Sequence, residues 1–237
     1  MQMSQSTEAS GEADKRPDDV SEAANPILWD ILQIPCRIVT SLMFDLKVYG
    51  REHIPAEGGA LLLSNHQSNL DPVLLAVQLQ RKISFIAKSE LFESPFFSWL
   101  IRSLNAFPVR RGETDIGAIK EAIRRLREGR VLTMFPEGTR TRTGLIGKIQ
   151  PGIAMLIRRA GVPVIPAVID GSFEAWPRGQ KLFHPYPIRV MYGPAMNVEN
   201  LKGQQIVEVI DKTLREMLEQ LRAKRGDRPQ IATNLHK

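Results

Sequence analysis

Cysteine is almost absent: of 237 residues only Cys36 carries a thiol. No disulfide can close within the chain, and no cysteine-based zinc site can be assembled. Histidine is nearly as scarce, with His53, His66, His184 and His236 alone. None of them stands in the H-E-x-x-H spacing of a zinc hydrolase. A G-x-S-x-G nucleophile elbow is also missing, which argues against a serine-hydrolase route. No uninterrupted apolar run reaches the roughly 18 residues of a membrane span. Residues 1–24 lack the apolar core of a secretory signal. No recognised nucleic-acid motif occurs, so a nucleic-acid partner would rest on net charge alone.

What remains is an ordinary globular composition, 43% hydrophobic and 24% charged, with a formal net charge of +6. That balance suits nucleic acid, an anionic membrane or a phosphorylated substrate, and equally simple solubility. Residues 1–24, rich in Ser, Glu, Asp, Ala and Gln, read as a disordered leader. Asn25 and Pro26 open a helical segment, 25–45, with Asn as cap and Pro at the first position. Its apolar residues recur at helical spacing: Ile27, Ile31, Ile34, Ile38 and Leu42, with a second row at Leu28, Leu32, Val39 and Met43. Asp30, Gln33, Arg37 and Ser41 fall on the other side, and Pro35 is expected to kink or divide the helix. Such a stripe fits either a membrane surface or the protein's own core.

Residues 46–222 form the expected main domain, and 223–237 a loose, basic tail. Strands are expected at 60–63, 83–87, 107–110, 131–135, 162–169 and 188–192. Helices are expected at 71–78, 96–104, 116–128, 153–160 and 206–221. This alternation predicts an α/β fold with a largely parallel central sheet flanked by helices. In such sheets ligands bind beyond the carboxyl ends of the strands, and three polar clusters fall there.

The first cluster, Ser64-Asn65-His66-Gln67-Ser68-Asn69-Leu70-Asp71-Pro72, follows an apolar strand. In an unbroken helix Asp71 would lie about 140° around from His66. Ser68 and Asn69 favour a turn instead, and Asp71-Pro72 a new helix, so Asp71 can fold back on the imidazole. A carboxylate on one ring nitrogen orients the other as a base for an alcohol proton. The second, Pro136-Glu137-Gly138-Thr139-Arg140, offers a glycine for close backbone approach, a hydroxyl and a planar guanidinium suited to phosphate. There Glu137 could bond a substrate hydroxyl or hold Arg140. The third, Phe107-Pro108-Val109-Arg110-Arg111-Gly112, ends a strand in two arginines.

These blocks resemble, in order, those of the glycerophospholipid acyltransferase family, specifically its 1-acylglycerol-3-phosphate acyltransferase branch. Asn65-His66 through Asp71 resembles the H-x-x-x-x-D block. Phe107 to Gly112 resembles the acceptor-binding block, and Phe135 to Arg140 reads F-P-E-G-T-R in full. Val162-Pro163-Val164-Ile165-Pro166 resembles the fourth, apolar block. The resemblance implies that His66 is the catalytic base and Asp71 its orienting partner. It implies that Arg111, Gly112, Glu137, Gly138, Thr139 and Arg140 bind the acceptor. The acyl group would come from acyl-CoA or acyl-acyl carrier protein as co-substrate, with no metal, no other cofactor and no acyl-enzyme. The expected partners are that donor and membrane lipid, without nucleic acid or an obligate protein partner. The segment 25–45 would hold the chain peripherally or monotopically on the cytoplasmic face of a membrane. Two positions depart from the family: Arg110 stands where an acidic residue is frequent, and Gln150, with Lys148 nearby, where lysine is. Another lysolipid acceptor, or a non-catalytic lipid-binding protein on the same fold, is the alternative.

Overall fold

The computed structural model describes residues 26–88, 93, 106–109 and 116–225. The leader, the helix expected at 96–104, and Arg110, Arg111 and Gly112 lie outside the described residues.

The first helix, α1 (Pro26–Phe44), runs through Pro35 without dividing. Then come β1 (Lys47–Tyr49), a short 3-10 turn (Arg51–His53), β2 (Ala60–Ser64), α2 (Asp71–Val77), β3 (Ile83–Lys88) and β4 (Ala106–Val109). They are followed by α3 (Ile116–Arg127), β5 (Val131–Met134), α4 (Gly152–Ala160) and β6 (Val164–Asp170). The short α5 (Ser172–Ala175), β7 (Arg189–Tyr192) and α6 (Gly203–Arg225) complete the order. The last helix covers the first three residues of the expected loose tail, because its amphipathic pattern continues to Leu221 and a further turn costs little once propagation has begun.

One seven-stranded sheet has the order β1-β7-β6-β2-β5-β3-β4. Every pairing is parallel except β6 with β7. The sheet is buried on both faces. Along β2 the alternation of strand side chains sends Leu61 and Leu63 to one core and Ala60 and Leu62 to the other. All four are fully buried, which is why β2 reads as a continuous apolar run rather than an alternating one. The first core is closed by α3, α4 and α6 through residues such as Ala122, Ile153, Ile206 and Leu214. The second is closed by Leu74 and Leu75 of α2 and by Phe44 at the end of α1.

The orientation of α1 settles one ambiguity of the sequence. Its apolar stripe does not pack on the core: Ile31, Ile34, Ile38 and Leu42 are 54–81% exposed. From its polar side, Gln33 and Arg37 face the protein. Gln33 Nε2 donates to Leu79 O at 2.8 Å, and Arg37 Nε donates to Val77 O. The last carbonyls of a helix lack partners within it and carry partial negative charge, so an amide and a guanidinium are well placed over the end of α2. Gln33 and Arg37 are thus docking residues, a role that the sequence alone left open.

Candidate active site

Because β6, β2 and β5 are adjacent and parallel, their carboxyl ends deliver three segments to one edge of the sheet. From β2 comes the loop carrying His66, from β5 the turn 135–140, and from β6 the short α5 that begins at Ser172. These segments are far apart in sequence, and only the sheet brings them together.

The loop after β2 does fold Asp71 back. His66 Nδ1 donates to Asp71 Oδ2 at 2.8 Å. The same oxygen accepts the backbone N–H groups of Gln67 at 2.6 Å and Ser68 at 2.7 Å. Asp71 therefore closes the turn and opens α2 while it holds the imidazole. Its other oxygen, Oδ1, accepts the Ser172 hydroxyl at 2.6 Å. Asp71 and Ser172 are both fully buried. Asn65, next to His66, ties the loop down by a reciprocal pair with Ile169 of β6, at 2.9 and 2.8 Å. With Nδ1 carrying the proton, Nε2 is left as the basic nitrogen. The Phe135 ring stacks on the imidazole at 3.9 Å between centroids and 13° between planes, which fixes the plane of the base.

Glu137 has a bracing role that neither sequence expectation included. Its Oε1 accepts the His66 backbone N–H at 2.8 Å and its Oε2 the Gly147 N–H at 2.6 Å. The side chain is a brace between the β2 loop and the loop 138–150, and no described ion pair joins it to Arg140. Burial raises its pKa above the usual carboxylate range, opposed by those two backbone N–H groups. A β-carbon at Gly147 would sit 2.9 Å from Oε2, so any side chain there would press on the end of this brace.

Gly138 adopts φ +71°, in the left-handed region, and donates its N–H to Phe135 O at 3.0 Å. This tight turn leaves Gly138 and Thr139 at the surface and Arg140 half-buried. The guanidinium pKa is lowered, first by burial and then by the neighbouring Arg178, with Asp71 acting in the opposite sense. Gln150 supports the same turn through its backbone N–H, which bonds Pro136 O at 2.8 Å, and both Gln150 and Lys148 are exposed.

Sequence reading missed Ser172, Phe135 as a ring partner, and Arg178. Ser172 follows Gly171, which has a φ of +92° and lies so close to Pro187 that a β-carbon would sit 2.3 Å from its carbonyl oxygen. No side chain fits there. A glycine-serine pair at the end of a buried strand was the available signal. Ser172→Ala should remove about 1 kcal/mol of support for the Asp71 carboxylate, roughly a fivefold loss in kcat. The loss should fall on kcat and leave the acceptor KM within about twofold, because the hydroxyl bonds the carboxylate and not the substrate. An unchanged rate in a folded variant would confine the hydroxyl to loop packing.

Residues 45–170 match the family model described as Acyltransferase. The chain is 26% identical over 192 residues to the 1-acyl-sn-glycerol-3-phosphate acyltransferase of Bacillus subtilis, covering 79% of this chain and 94% of that one. It is 31% identical over 177 residues to the enzyme of the same name from Pseudomonas aeruginosa PAO1, covering 73% and 66%. Its fold resembles the crystal structure of the 1-acyl-sn-glycerophosphate (LPA) acyltransferase PlsC from Thermotoga maritima, with a TM-score of 0.71 and 26% identity over 83% of this chain and 81% of that one. With the family model spanning more than half its length and the site geometry intact, the chain belongs to the acyltransferase family, on the branch of the 1-acyl-sn-glycerol-3-phosphate acyltransferases.

Proposed function

We propose that this chain transfers an acyl group from an acyl thioester, on coenzyme A or acyl carrier protein, to the free hydroxyl of 1-acylglycerol-3-phosphate, giving phosphatidic acid. The observation that carries the reading is the His66–Asp71 pair, 2.8 Å apart beside the turn that presents Arg140. A module that only binds lipid has no use for an oriented base. The His66 Nε2 takes the hydroxyl proton as the oxygen attacks the thioester carbonyl. The carbon–sulfur bond then breaks, and the proton passes from the imidazolium to the departing thiolate. Asp71 holds the tautomer and stabilises the transient imidazolium.

Arg140 is assigned to the acceptor phosphate. Arg178 is close enough to Arg140 for their charges to repel. A phosphate between them would turn that repulsion into charge-assisted hydrogen bonding. No helix of the described residues is long and apolar enough to cross a membrane. The exposed stripe of α1 supports a surface attachment, with Ile31, Ile34, Ile38 and Leu42 entering the bilayer interface.

The full chain should be incubated with a panel of lysolipids and each donor, with products identified by mass. Phosphatidic acid and released thiol are expected with 1-acylglycerol-3-phosphate. Failure of every acceptor to consume thioester would overturn the enzymatic reading. In Arg140→Ala the KM for the phosphorylated acceptor should rise about ten- to a hundredfold, the value of a hydrogen bond to a charged group. An effect confined to the donor KM would assign Arg140 to the donor instead.

A further inference from the structure

The loop 176–184, Trp-Pro-Arg-Gly-Gln-Lys-Leu-Phe-His, belongs to none of the four sequence blocks. It exposes two large apolar side chains, Leu182 at 80% and Phe183 at 42%. Adjacent apolar side chains in water at a loop tip are unfavourable unless something covers them. The tip is nonetheless built rather than loose. The Trp176 indole N–H donates to Gln180 O at 2.9 Å, and His184 N–H donates to Ala175 O at 3.0 Å. Phe183 meets the Trp176 ring at 5.8 Å and, edge-on, the Phe44 ring at 5.8 Å.

The Phe44 contact is informative. Phe44 is the last residue of α1, two positions beyond Leu42, the most exposed residue of the α1 stripe. The loop therefore sits beside the terminal turn of the helix whose apolar side faces outward. At its other end the loop reaches the site, because Ser68 Oγ donates to Trp176 O at 3.0 Å and Ser172, four residues before Trp176, bonds Asp71.

We propose that the loop 176–184 is a second membrane-contact element, which seats Leu182 and Phe183 in the interface of an anionic bilayer beside the opening to His66. The inference rests on the acceptor being a membrane lipid. The flanking charges select the occupant. Arg178 and Lys181 both lie just before the apolar pair, and basic residues beside apolar ones favour an anionic lipid surface. A second copy of the chain docking face to face would set the same cations against each other. Contact from both α1 and this loop would orient the site toward the surface from which a lysolipid must leave, whereas a single helix leaves the domain free to swing about it.

The lone cysteine makes a direct test available. In a Cys36→Ser background, Leu182→Cys is labelled with an environment-sensitive fluorophore and mixed with vesicles of equal parts phosphatidylcholine and phosphatidylglycerol. A blue shift, and quenching by lipids brominated in the acyl chain, are expected. The same label at Glu219→Cys, on the exposed side of α6 across the sheet, should show neither. Lys181→Glu with Leu182→Glu should lower vesicle partitioning about tenfold, with turnover of a short-chain, water-soluble acceptor within about twofold of the parent. A parallel variant, Ile34→Glu with Leu42→Glu, tests α1 separately. A label that stays in water on vesicle-bound protein overturns the loop proposal and leaves α1 as the anchor. Absence of vesicle binding by the parent chain overturns both contacts, whereas loss of all turnover on the soluble acceptor in the parent would strike the enzymatic reading alone.

Discussion

Replacing His66 with alanine should lower turnover by about 10²–10⁴-fold, the usual contribution of a positioned general base. The fold should survive. His66 is held largely through its backbone, whose N–H bonds Glu137 and whose carbonyl accepts the Thr141 N–H at 2.8 Å. The imidazole itself is only one of four donors to Asp71. Circular dichroism and thermal melting of the variant should therefore stay close to the parent while thioester consumption collapses. A folded variant with activity within a few-fold of the parent would remove His66 from the mechanism.

Asp71→Asn should cost about 10²–10³-fold in kcat, here through lost charge rather than a wrong tautomer. Backbone N–H groups of Gln67 and Ser68 both point at Oδ2. In an asparagine that position must be the carbonyl oxygen, since an NH₂ there would face two donors. The amide oxygen therefore still accepts from His66 Nδ1, and the NH₂ falls opposite the Ser172 hydroxyl, which can rotate to accept. What disappears is the negative charge that steadies the imidazolium, worth about 4 kcal/mol at ~4 Å with an effective dielectric constant of about 20. Only part of that reaches the rate, because burying the carboxylate already carries a desolvation cost. Single-turnover kinetics measured across the pH profile would check it. An unchanged rate would show that Asp71 only closes its turn.

Glu137 illustrates how a motif can leave part of a residue's role unread. F-P-E-G-T-R is legible, and its glutamate invites a reading as a ligand to substrate or to Arg140. The carboxylate instead ties together two loops that are distant in sequence, through partners (the N–H groups of His66 and Gly147) that every residue but proline possesses. Backbone partners leave no mark on side-chain identity, so no inspection of the motif reveals them. Ser172 was hidden for the same kind of reason. It lies 101 residues from the carboxylate it supports and belongs to no local pattern with it. The tilt of α1 was likewise open, since an amphipathic stripe specifies that one side is apolar but not which neighbour it meets.

By itself the sequence determined most of the described elements and their order, though not the short β1 and α5, because apolar periodicity and turn residues act over a few neighbours: 71–78, 116–128 and 131–135 fall within a residue of α2, α3 and β5. It also determined that His66 and Asp71 could meet, since Ser68, Asn69 and Asp71-Pro72 encode the turn between them. Only the tertiary structure decided what surrounds that pair. The parallel pairing of β6, β2 and β5 sets Ser172, His66 and Phe135 on one edge of the sheet, and the docking of Gln33 and Arg37 on α2 turns the apolar stripe of α1 outward. Both depend on hydrogen bonds and burial between segments dozens of residues apart, which local pattern cannot encode.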